Sequence, residues 1–598
     1  MPSTSPLSAE TDRIRRSEIL LHGPYDLAGK PDQALRVVFM SSYGYAYSLL
    51  AGGPAALYDL INRRPQVPAV AERAVAYECL VADANRLRTP GGEPYRSIEN
   101  PAPVAEADIV GVSVTNAGDM HSVLRLLDLA GIPRRTAERA AGRHPLVVGG
   151  SGGLANPEPM ADYLDIVALG DAEHSVLELI DLVHRNRDLA RTALLEQAAR
   201  IPGLYIPSLY EHDLLPGGGT AAVRPRTLTV PATAQPQYLT AADLGPAHFT
   251  SPISDGSCAL VIANLGCRHS CHMCTLGVPQ FRNAPIEELT AYIDTLERHR
   301  VRKIIISSPT FTQYKHRYQL LDHIAAYADR APEPVSVIIG SVRADEVTAR
   351  YLDAVARVDP GHLFTELQLD APRGVITIAP EFAAGDLVRI FGKTMDETRV
   401  ERALDLCRGH SHFGTVMLYF MVGAPGETAE DRLAIADYAH RVHQRLQRSD
   451  AAVIVKIQQF MPKPGTTSQR LPMADPDLVD DWITAIRNRL TTLAGPAHDR
   501  FRVLWGERSR LLLEAVCDRG DRRIGHVLET LHDAGTDFTC LTKAQLETAL
   551  AAHGLTFTHH LRAIADSEVL AWQSVNTVQP GAEQQLAAAL RNRLAVSA

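Results

Sequence analysis

The sequence has no long apolar run, no surplus of positive charge and few cysteines, and each shortage excludes a class of protein. No stretch of about 18 consecutive apolar residues occurs, so no membrane-spanning helix is predicted. The segment Met1 to Glu10 is polar and lacks the basic-then-apolar order of a signal peptide. The formal charge of −9 at pH 7 gives no basic surface for nucleic acid or an anionic membrane. We therefore expect a cytoplasmic protein that binds neither nucleic acid nor a membrane.

The 598 residues are too many for one ordinary domain. The pattern of apolar runs predicts an α/β protein of several parts. Residues 34–205 alternate strand-like and helical patterns, which is typical of an open parallel sheet covered by helices. Residues 206–255 are rich in Pro and Gly and are predicted to be a linker. Residues 256–495 repeat strand then helix six times, which favours a partial (β/α)6 barrel of the triosephosphate-isomerase type. Residues 1–33 are an N-terminal extension, and residues 496–598 are predicted to be a small, mainly helical domain.

Three of the eight cysteines lie close together, just past the first predicted strand of the barrel. The spacing Cys267-x-x-x-Cys271-x-x-Cys274 supplies three thiolates on one loop, which can hold three irons of a cubane and leave the fourth iron open. The alternative is a zinc site, but tetrahedral zinc needs four ligands, and only His269 or His272 on the same loop could supply the fourth. The sequence therefore favours a [4Fe-4S] cluster at the end of the barrel where parallel-barrel enzymes carry out their chemistry.

This cysteine motif on the first strand of a six-stranded partial barrel resembles the radical-SAM superfamily, in which S-adenosylmethionine (SAM) chelates the open iron. Further motifs at later strand ends resemble elements of one subgroup: Ser341-Val-Arg343, Ala379-Pro-Glu381 and the run from Tyr419 to Glu427. Ser307 and Ser308 stand where the family usually has a glycine-rich turn, so that motif is altered. The resemblance implies that SAM contacts Ser307, Ser308, Gly340, Ser341, Arg343, Glu381 and Met421.

The glycine-rich turns of the N-terminal sheet resemble those of cobalamin-dependent radical-SAM enzymes, and the resemblance implies a Rossmann-like cobalamin-binding domain. Glycine directly after a strand allows the backbone to approach a large flat ligand, although any sheet of this kind needs tight turns. The residues expected to contact cobalamin are Ser113, Thr115, Asn116, Gly149, Gly150, Ser151, Asn156, Glu158, Gly170 and Glu173.

The segment Asp119-Met-His121 resembles part of the signature by which a histidine ligates cobalt from below, but position 124 is Leu and the segment follows the wrong strand. A structural or helix-capping role for Asp119 is the preferred interpretation. We therefore expect cobalamin without a histidine ligand, and Arg64 or Arg73 is a candidate to lie beneath the corrin.

The resemblance implies a methyltransferase that moves a methyl group from SAM, via methylcobalamin, to a carbon of a small molecule. In size, domain order and Ala/Arg-rich character the chain resembles the tryptophan 2-C-methyltransferases of thiopeptide antibiotic biosynthesis, so carbon 2 of L-tryptophan is the expected acceptor. Tyr314 and Arg343 are the expected catalytic residues, and a reductant for cluster and cobalamin is an implied partner. Three alternatives stay open at this point: another substrate, a reaction of the 5'-deoxyadenosyl radical, or a non-catalytic cobalamin or cluster sensor.

Overall fold

A computed structural model describes residues 5–83, 86–241, 249–252, 258–276, 281–339, 342–359 and 374–597. The N-terminal part is a six-stranded sheet covered by helices on both faces. Its strands are buried almost throughout, as in sheets whose two faces are both covered. In chain order the elements are α1 (Pro6–Ser17), β1 (Ile19–Leu20), β2 (Leu35–Met40), α2 (Tyr45–Ser48), α3 (Gly52–Arg63), β3 (Ala69–Ala74), β4 (Val81–Asp83), β5 (Arg86–Arg88), β6 (Ile109–Ser113), α4 (His121–Ala130), α5 (Thr136–Ala140), β7 (Leu146–Gly150), β8 (Ile166–Ala168), α6 (Glu173–Arg185), α7 (Arg191–Ala198) and β9 (Leu204–Tyr205).

The strand order of this sheet is β3-β2-β6-β7-β8-β9. The first five strands are parallel and β9 pairs antiparallel to β8. In such a sheet the carboxyl ends of parallel strands meet at one edge, and ligands bind in the crevice outside that edge. The predicted open parallel sheet is therefore confirmed, and its ligand-binding edge follows β2, β6, β7 and β8.

The predicted linker contains regular structure. Strands β10 (Tyr210–Leu214) and β11 (Thr220–Pro225) form an antiparallel hairpin. Strand β12 (Phe249–Thr250) pairs with β1, so the N-terminal extension is attached to the segment that leads into the barrel.

The central part carries parallel strands that alternate with helices. Among the described residues the strands form two groups, β13-β16-β17 and β18-β19-β20-β21, and residues 360–373 between them lie outside the described range. The elements are β13 (Cys258–Ile262), β14 (Asn264–Leu265), β15 (Arg282–Asn283), α8 (Ile286–Arg298), β16 (Lys303–Ser307), α9 (Arg317–Arg330), β17 (Ser336–Ile339), α10 (Ala349–Ala356), β18 (Gly374–Glu381), α11 (Gly385–Ile390), α12 (Glu397–Gly409), β19 (Phe413–Val422), α13 (Ala429–Leu446), β20 (Ala452–Gln459), α14 (Pro476–Ala494) and β21 (Phe501–Trp505).

Strand β21 is a difference from the sequence prediction, which ended the barrel at residue 495. It pairs in parallel with β20 through Val453↔Phe501 to Ile457↔Trp505 and adds a further strand to the six that were predicted. Only Phe501, of its five residues, is fully buried, because the strand lies at the edge of the sheet. That exposure weakened the apolar pattern by which strands are recognised.

The C-terminal helices do not form a separate unit. They are α15 (Arg508–Arg519), α16 (Arg523–Asp533), α17 (Lys543–Ala552), α18 (Phe557–Leu561) and α19 (Ala582–Ser597). Buried side chains of α15 to α18, such as Leu512, Leu528 and Leu550, share one hydrophobic core with the N-terminal sheet. Helix α19 packs instead on the barrel, where Leu586 and Leu590 join a smaller core. Among the residues described, none of the helices is both long and apolar enough to span a membrane.

Candidate functional site

A cavity of about 430 Å³ opens at the carboxyl ends of the N-terminal sheet. Its wall consists of the turns after β6, β7 and β8 together with the start of α3. Seven of the ten residues predicted to contact cobalamin line it: Ser113, Thr115, Gly149, Gly150, Ser151, Gly170 and Glu173. The structure therefore brings together the part of the prediction that depended on turns directly after strands.

Glycines shape this cavity because side chains would occupy space that neighbours already use. A Cβ on Gly111 would lie 2.7 Å from the ring of Phe39, which itself lines the cavity. Gly170 has φ +79° and lies against the backbone oxygen of Gln237, so both its backbone conformation and its packing require glycine. Gly150 has space, since a Cβ there would meet only Ala168 at 3.9 Å.

Among the described residues that line the cavity, none has a nitrogen side chain that could ligate a metal. The ionisable residues in this described lining are Asp171 and Glu173, and burial raises the pKa of Glu173. The remaining described lining is glycine, hydroxyl and apolar side chains, which suits the apolar body of a large ligand.

Three of the predicted cobalamin contacts are not among the residues that line this cavity. The amide oxygen of Asn116 accepts a hydrogen bond from Gly118 N at 3.1 Å and caps a short turn. Asn156 is fully buried and donates to the carbonyls of Cys517 and Gly520 at 2.9 and 2.8 Å, which attaches the sheet to α15. Both residues belong to turns that face the C-terminal helices, a neighbour that sequence spacing does not reveal.

Glu158 is the third, and it lies in a buried polar network that joins three parts of the chain. Its carboxylate accepts a hydrogen bond from Tyr205 at 2.5 Å and pairs with Arg522 at 2.7 Å. His212 Nε2 lies 3.2 Å from the same carboxylate. Glu158 therefore stabilises the contact of sheet, hairpin and C-terminal helices and does not face the cavity.

Asp119 has the structural role that was preferred for it. Its carboxylate accepts a hydrogen bond from the Tyr43 hydroxyl at 3.0 Å and pairs with Arg510 at 3.2 Å. His121 stacks on Phe538 with ring centroids 4.0 Å apart, and burial lowers its pKa to about 4. This imidazole is therefore a neutral packing group at the contact with the C-terminal helices.

The two arginines considered for the lower face of the corrin have different positions. Arg64 is exposed at the end of α3. Arg73 lines a second cavity of about 180 Å³, which shares Phe39, Ser113 and Thr115 with the first. Its guanidinium pairs with Glu18 at 2.7 Å and Glu99 at 2.6 Å. Of the two, only Arg73 has a position beside the cavities.

The cysteine loop is held at the end of the barrel by backbone contacts on both sides. His272 N donates to Phe391 O at 2.9 Å, and its own carbonyl accepts from Ser468 N at 3.0 Å. His269 Nε2 lies 2.7 Å from Gln313 Nε2, and Cys267 Sγ lies 3.7 Å from Thr310 Oγ1. The loop is therefore positioned by the turns after β16, β18 and β20.

Three thiols are the donor set of a [4Fe-4S] cluster with one open iron. Burial raises the pKa of the Cys271 thiol. Among the described residues, no group of three or more His, Cys, Asp or Glu side chains could hold a single metal ion. In a [4Fe-4S] cubane each thiolate binds a different iron, so the three sulfurs do not have to converge on one point.

Charged side chains surround the cysteine loop on the barrel side. Glu381 ends β18 with φ +69° and its carboxylate accepts from Lys393 Nζ at 2.6 Å. A left-handed conformation in a non-glycine residue persists only where the surroundings enforce it, which is common at functional sites. Arg343 forms a bidentate pair with Asp345 at 3.0 and 2.8 Å, and also donates to the Thr394 carbonyl.

The other predicted SAM contacts have mixed positions. Ser307 ends β16. Ser308 is buried, donates to the Asn264 amide oxygen and accepts from Thr310 N at 3.1 Å, so it fixes the strand that leads into the cysteine loop. Met421 packs beside the small core at the barrel end that includes Phe391. Gly340 and Ser341 lie outside the described residues.

Tyr314 does not fit its predicted catalytic role. Its side chain is fully buried, and its hydroxyl donates to Ala284 O at 3.0 Å. The ring packs against Phe311 on the helix-facing side of the barrel strands. The position of Tyr314 near the end of a strand suggested that its side chain is accessible. The short turn after β16 instead directs the side chain into the core.

One wall of the sheet cavity, formed by the start of α3, contacts the barrel. Gly52 and Gly53 at the start of α3 line the cavity, and a Cβ on Gly52 would lie 3.3 Å from Leu260. Leu260 belongs to β13, the strand that leads to the cysteine loop. The start of α3, which lines the cavity, therefore packs against the first strand of the barrel.

Two family models match the chain. Residues 261–439 match the radical SAM superfamily, and residues 53–207 match the N-terminal region of radical SAM proteins. Together they span more than half of the sequence, and this chain belongs to the radical SAM proteins. The expected [4Fe-4S] cluster and SAM are therefore the cofactors of an enzyme of this superfamily.

Curated relatives are distant. An uncharacterized protein of Methanocaldococcus jannaschii is 21% identical over 408 residues, which cover 67% of this chain and 76% of the relative. The ribosomal protein uS12 methylthiotransferase RimO of Cutibacterium acnes is 25% identical over 284 residues, which cover 46% of this chain and 54% of that protein.

Solved structures with a similar arrangement are those of two cobalamin-binding radical SAM enzymes. The methyltransferase TsrM of Kitasatospora setae, with cobalamin and a [4Fe-4S] cluster bound, has a TM-score of 0.47 and 14% identity, covering 84% of this chain and all of that one. OxsB, with aqua-cobalamin and SAM bound, has a TM-score of 0.46 and 11% identity, covering 94% and 79%.

Proposed function

We propose that this protein is a cobalamin-dependent methyltransferase that moves a methyl group from SAM to a carbon of a small molecule. One observation supports this most strongly. Gly52 lines the 430 Å³ cavity of the N-terminal sheet and lies against Leu260, whose strand leads to the cysteine loop. Methyl transfer between two cofactors requires that their reactive ends meet, because the transferred group must lie within bonding reach of both.

The cavity residues would hold cobalamin through shape and backbone contacts. The turns at Ser113, Gly150 and Gly170 approach the ligand closely, and the apolar wall that includes Val176 and Leu179 would receive an apolar part of it. Bound cobalamin would supply a nucleophilic cobalt centre able to accept a methyl group and pass it on. The described lining would contribute glycine backbone, hydroxyl groups and apolar side chains to that binding.

At the barrel end, Cys267, Cys271 and Cys274 would hold the cluster. Glu381 and Lys393 would then contact SAM, since a carboxylate and an ammonium in one pair can exchange partners with the amino and carboxylate groups of methionine. Arg343 is the second cation there, and its contact with Asp345 would orient it. A reductant for cluster and cobalamin is a required partner.

Carbon 2 of L-tryptophan is the proposed acceptor, in natural-product biosynthesis. The indole carbon is already nucleophilic, so polar transfer would need only a base for the ring N–H and a clamp for the amino acid. The similarity of size and domain order to tryptophan 2-C-methyltransferases supports this choice.

The test uses cluster-reconstituted protein under anaerobic conditions with hydroxocobalamin, a reductant, methyl-labelled SAM and L-tryptophan. Mass spectrometry should detect labelled methyltryptophan and S-adenosylhomocysteine without 5'-deoxyadenosine. Formation of 5'-deoxyadenosine in stoichiometric amounts would instead indicate a radical mechanism and refute polar methyl transfer. If the protein binds cobalamin but forms no methylated product, the proposal for the cofactors stands and the proposal of L-tryptophan as substrate is refuted.

A further inference from the structure

The inner face of the barrel has a polar upper layer on β19 and β20. On β20, Val455 and Ile457 pack outward into the core under the helices, so alternation places Lys456 and Gln458 on the inner face. On β19, Leu418 and Phe420 pack outward in the same way, which places Tyr419 on the inner face. Lys456 and Tyr419 are direct register partners, and both are only half-buried.

Below this layer the interior is closed by apolar side chains. Met417 and Ile454 precede Tyr419 and Lys456 on the same face, and both are buried, at 2% and 0% exposure. The Nζ of Lys456 lies 5.3 Å from the centre of the Tyr419 ring. The pair therefore stands on an apolar floor and faces the end of the barrel that carries the cysteine loop.

Lys456 differs from the other lysines near this site because none of the described carboxylates forms an ion pair with it. Lys393 pairs with Glu381 at 2.6 Å, and Lys463 pairs with Asp518 at 2.7 Å. Among the described residues, Lys456 has no ion pair, and its contact is the tyrosine ring. A half-buried ammonium has lost part of its hydration, so an anionic ligand group would be favourable there.

We infer that Lys456 and Tyr419 form the subsite that binds the carboxylate end of the substrate, which makes that substrate a carboxylic acid such as an amino acid. This inference rests on the proposed function, in which the barrel holds the acceptor. The positive charge of the Lys456 ammonium matches the negative charge of one carboxylate. The Tyr419 ring would pack against the apolar part of the substrate next to that carboxylate. Ala379 lies on the inner face of β18, since Ile376 and Ile378 pack outward into the core.

SAM also carries a carboxylate, and position distinguishes the two sources. Lys393 lies two residues after Phe391, whose carbonyl accepts from His272 N of the cysteine loop at 2.9 Å, and Arg343 donates to the carbonyl of the next residue, Thr394. SAM must chelate the cluster at these cysteines, so its carboxylate lies within reach of Lys393 and Arg343. Lys456 is therefore the cation assigned to the carboxylate of the substrate.

The experiment measures binding without turnover, by equilibrium dialysis of the reconstituted holoprotein with labelled L-tryptophan, tryptamine or SAM. The variants are Lys456→Met, Lys456→Arg and, as a matched control, Lys315→Met at an exposed lysine. Lys456→Met should weaken L-tryptophan binding by about 10-fold or more, as expected for the loss of a charge-assisted contact. Lys456→Arg should recover part of the loss, and Lys315→Met should bind like wild type.

Two further arms make the result specific. Tryptamine lacks the carboxylate, so it should bind more weakly than L-tryptophan and equally to wild type and Lys456→Met. SAM binding should be unchanged in every variant. Weakened SAM binding with unchanged L-tryptophan binding would assign the subsite to SAM and overturn the inference, as would unchanged binding of both or no L-tryptophan binding to wild type. Normal L-tryptophan binding without methyl transfer would refute the proposed function and leave the carboxylate subsite intact.

Discussion

Replacement of Glu158 by Ala separates a structural role from a cofactor role. Glu158 is 1% exposed, and its carboxylate accepts hydrogen bonds from Tyr205 and Arg522, with His212 Nε2 3.2 Å away. Removing one partner of a buried ion pair leaves the other charge uncompensated and destabilises a protein by about 3–5 kcal/mol. For a cooperative unit of roughly 150–250 residues, this corresponds to a decrease in Tm of about 6–20 °C.

The assay combines calorimetric unfolding with cobalamin binding measured on the folded fraction. Glu158→Ala should lower Tm strongly while the folded protein retains its cobalamin affinity, because the carboxylate does not line the cavity. Glu158→Gln should have a smaller effect, since the amide oxygen can still accept from Tyr205. Glu196→Ala, at an exposed position on α7, is the matched control and should leave Tm unchanged. An unchanged Tm in Glu158→Ala together with lost cobalamin binding would refute the placement of this residue.

Three other perturbations test the cavity, the cluster and the packed histidine. Gly150→Leu should abolish cobalamin retention with little change in Tm, because a Cβ there meets Ala168 at 3.9 Å and the longer side chain extends into the cavity; retained cobalamin would contradict the assignment. Changing Cys267, Cys271 and Cys274 to Ala should remove the broad visible absorption and all turnover, and residual turnover would refute the mechanism. His121, with its pKa lowered from 6.5 to about 4, is neutral in the folded protein and takes up a proton on unfolding below pH 6.5. Its contribution to stability is therefore complete above pH 6.5 and decreases by up to about 1.4 kcal/mol per pH unit as the pH falls towards 4, a slope that denaturant titrations should find reduced in His121→Phe.

Local patterns in the sequence predicted the cofactor-binding elements that depend on chain neighbours alone. The cysteine motif, the parallel strands and the glycine turns each occupy a few consecutive residues. Seven predicted cobalamin contacts line one cavity for that reason: a turn that directly follows a strand of a parallel sheet must lie at its carboxyl edge. The helical C-terminal region was also recognised from its periodicity.

Long-range packing decided the rest. Asn156 and Glu158 lie in a glycine-rich turn that looks like part of a ligand site, yet their partners Cys517 and Arg522 are more than 350 positions away in the chain. Tyr314 lies near a strand end, but a single turn directs it into the core. Sequence periodicity does not encode which surfaces meet, so these outcomes required the tertiary structure.

By itself, the sequence determined the superfamily and the order of the two α/β units, and it predicted the cluster ligands, because covalent spacing and strand alternation are local properties of the chain. The tertiary structure decided that the C-terminal helices complete the N-terminal core and that the helix start lining the sheet cavity packs against the strand leading to the cysteines. It also placed Lys456 on the inner face of the barrel, where none of the described carboxylates pairs with it. Each of these depends on burial and on contacts between distant segments, and such contacts exist only once the hydrophobic faces have packed together.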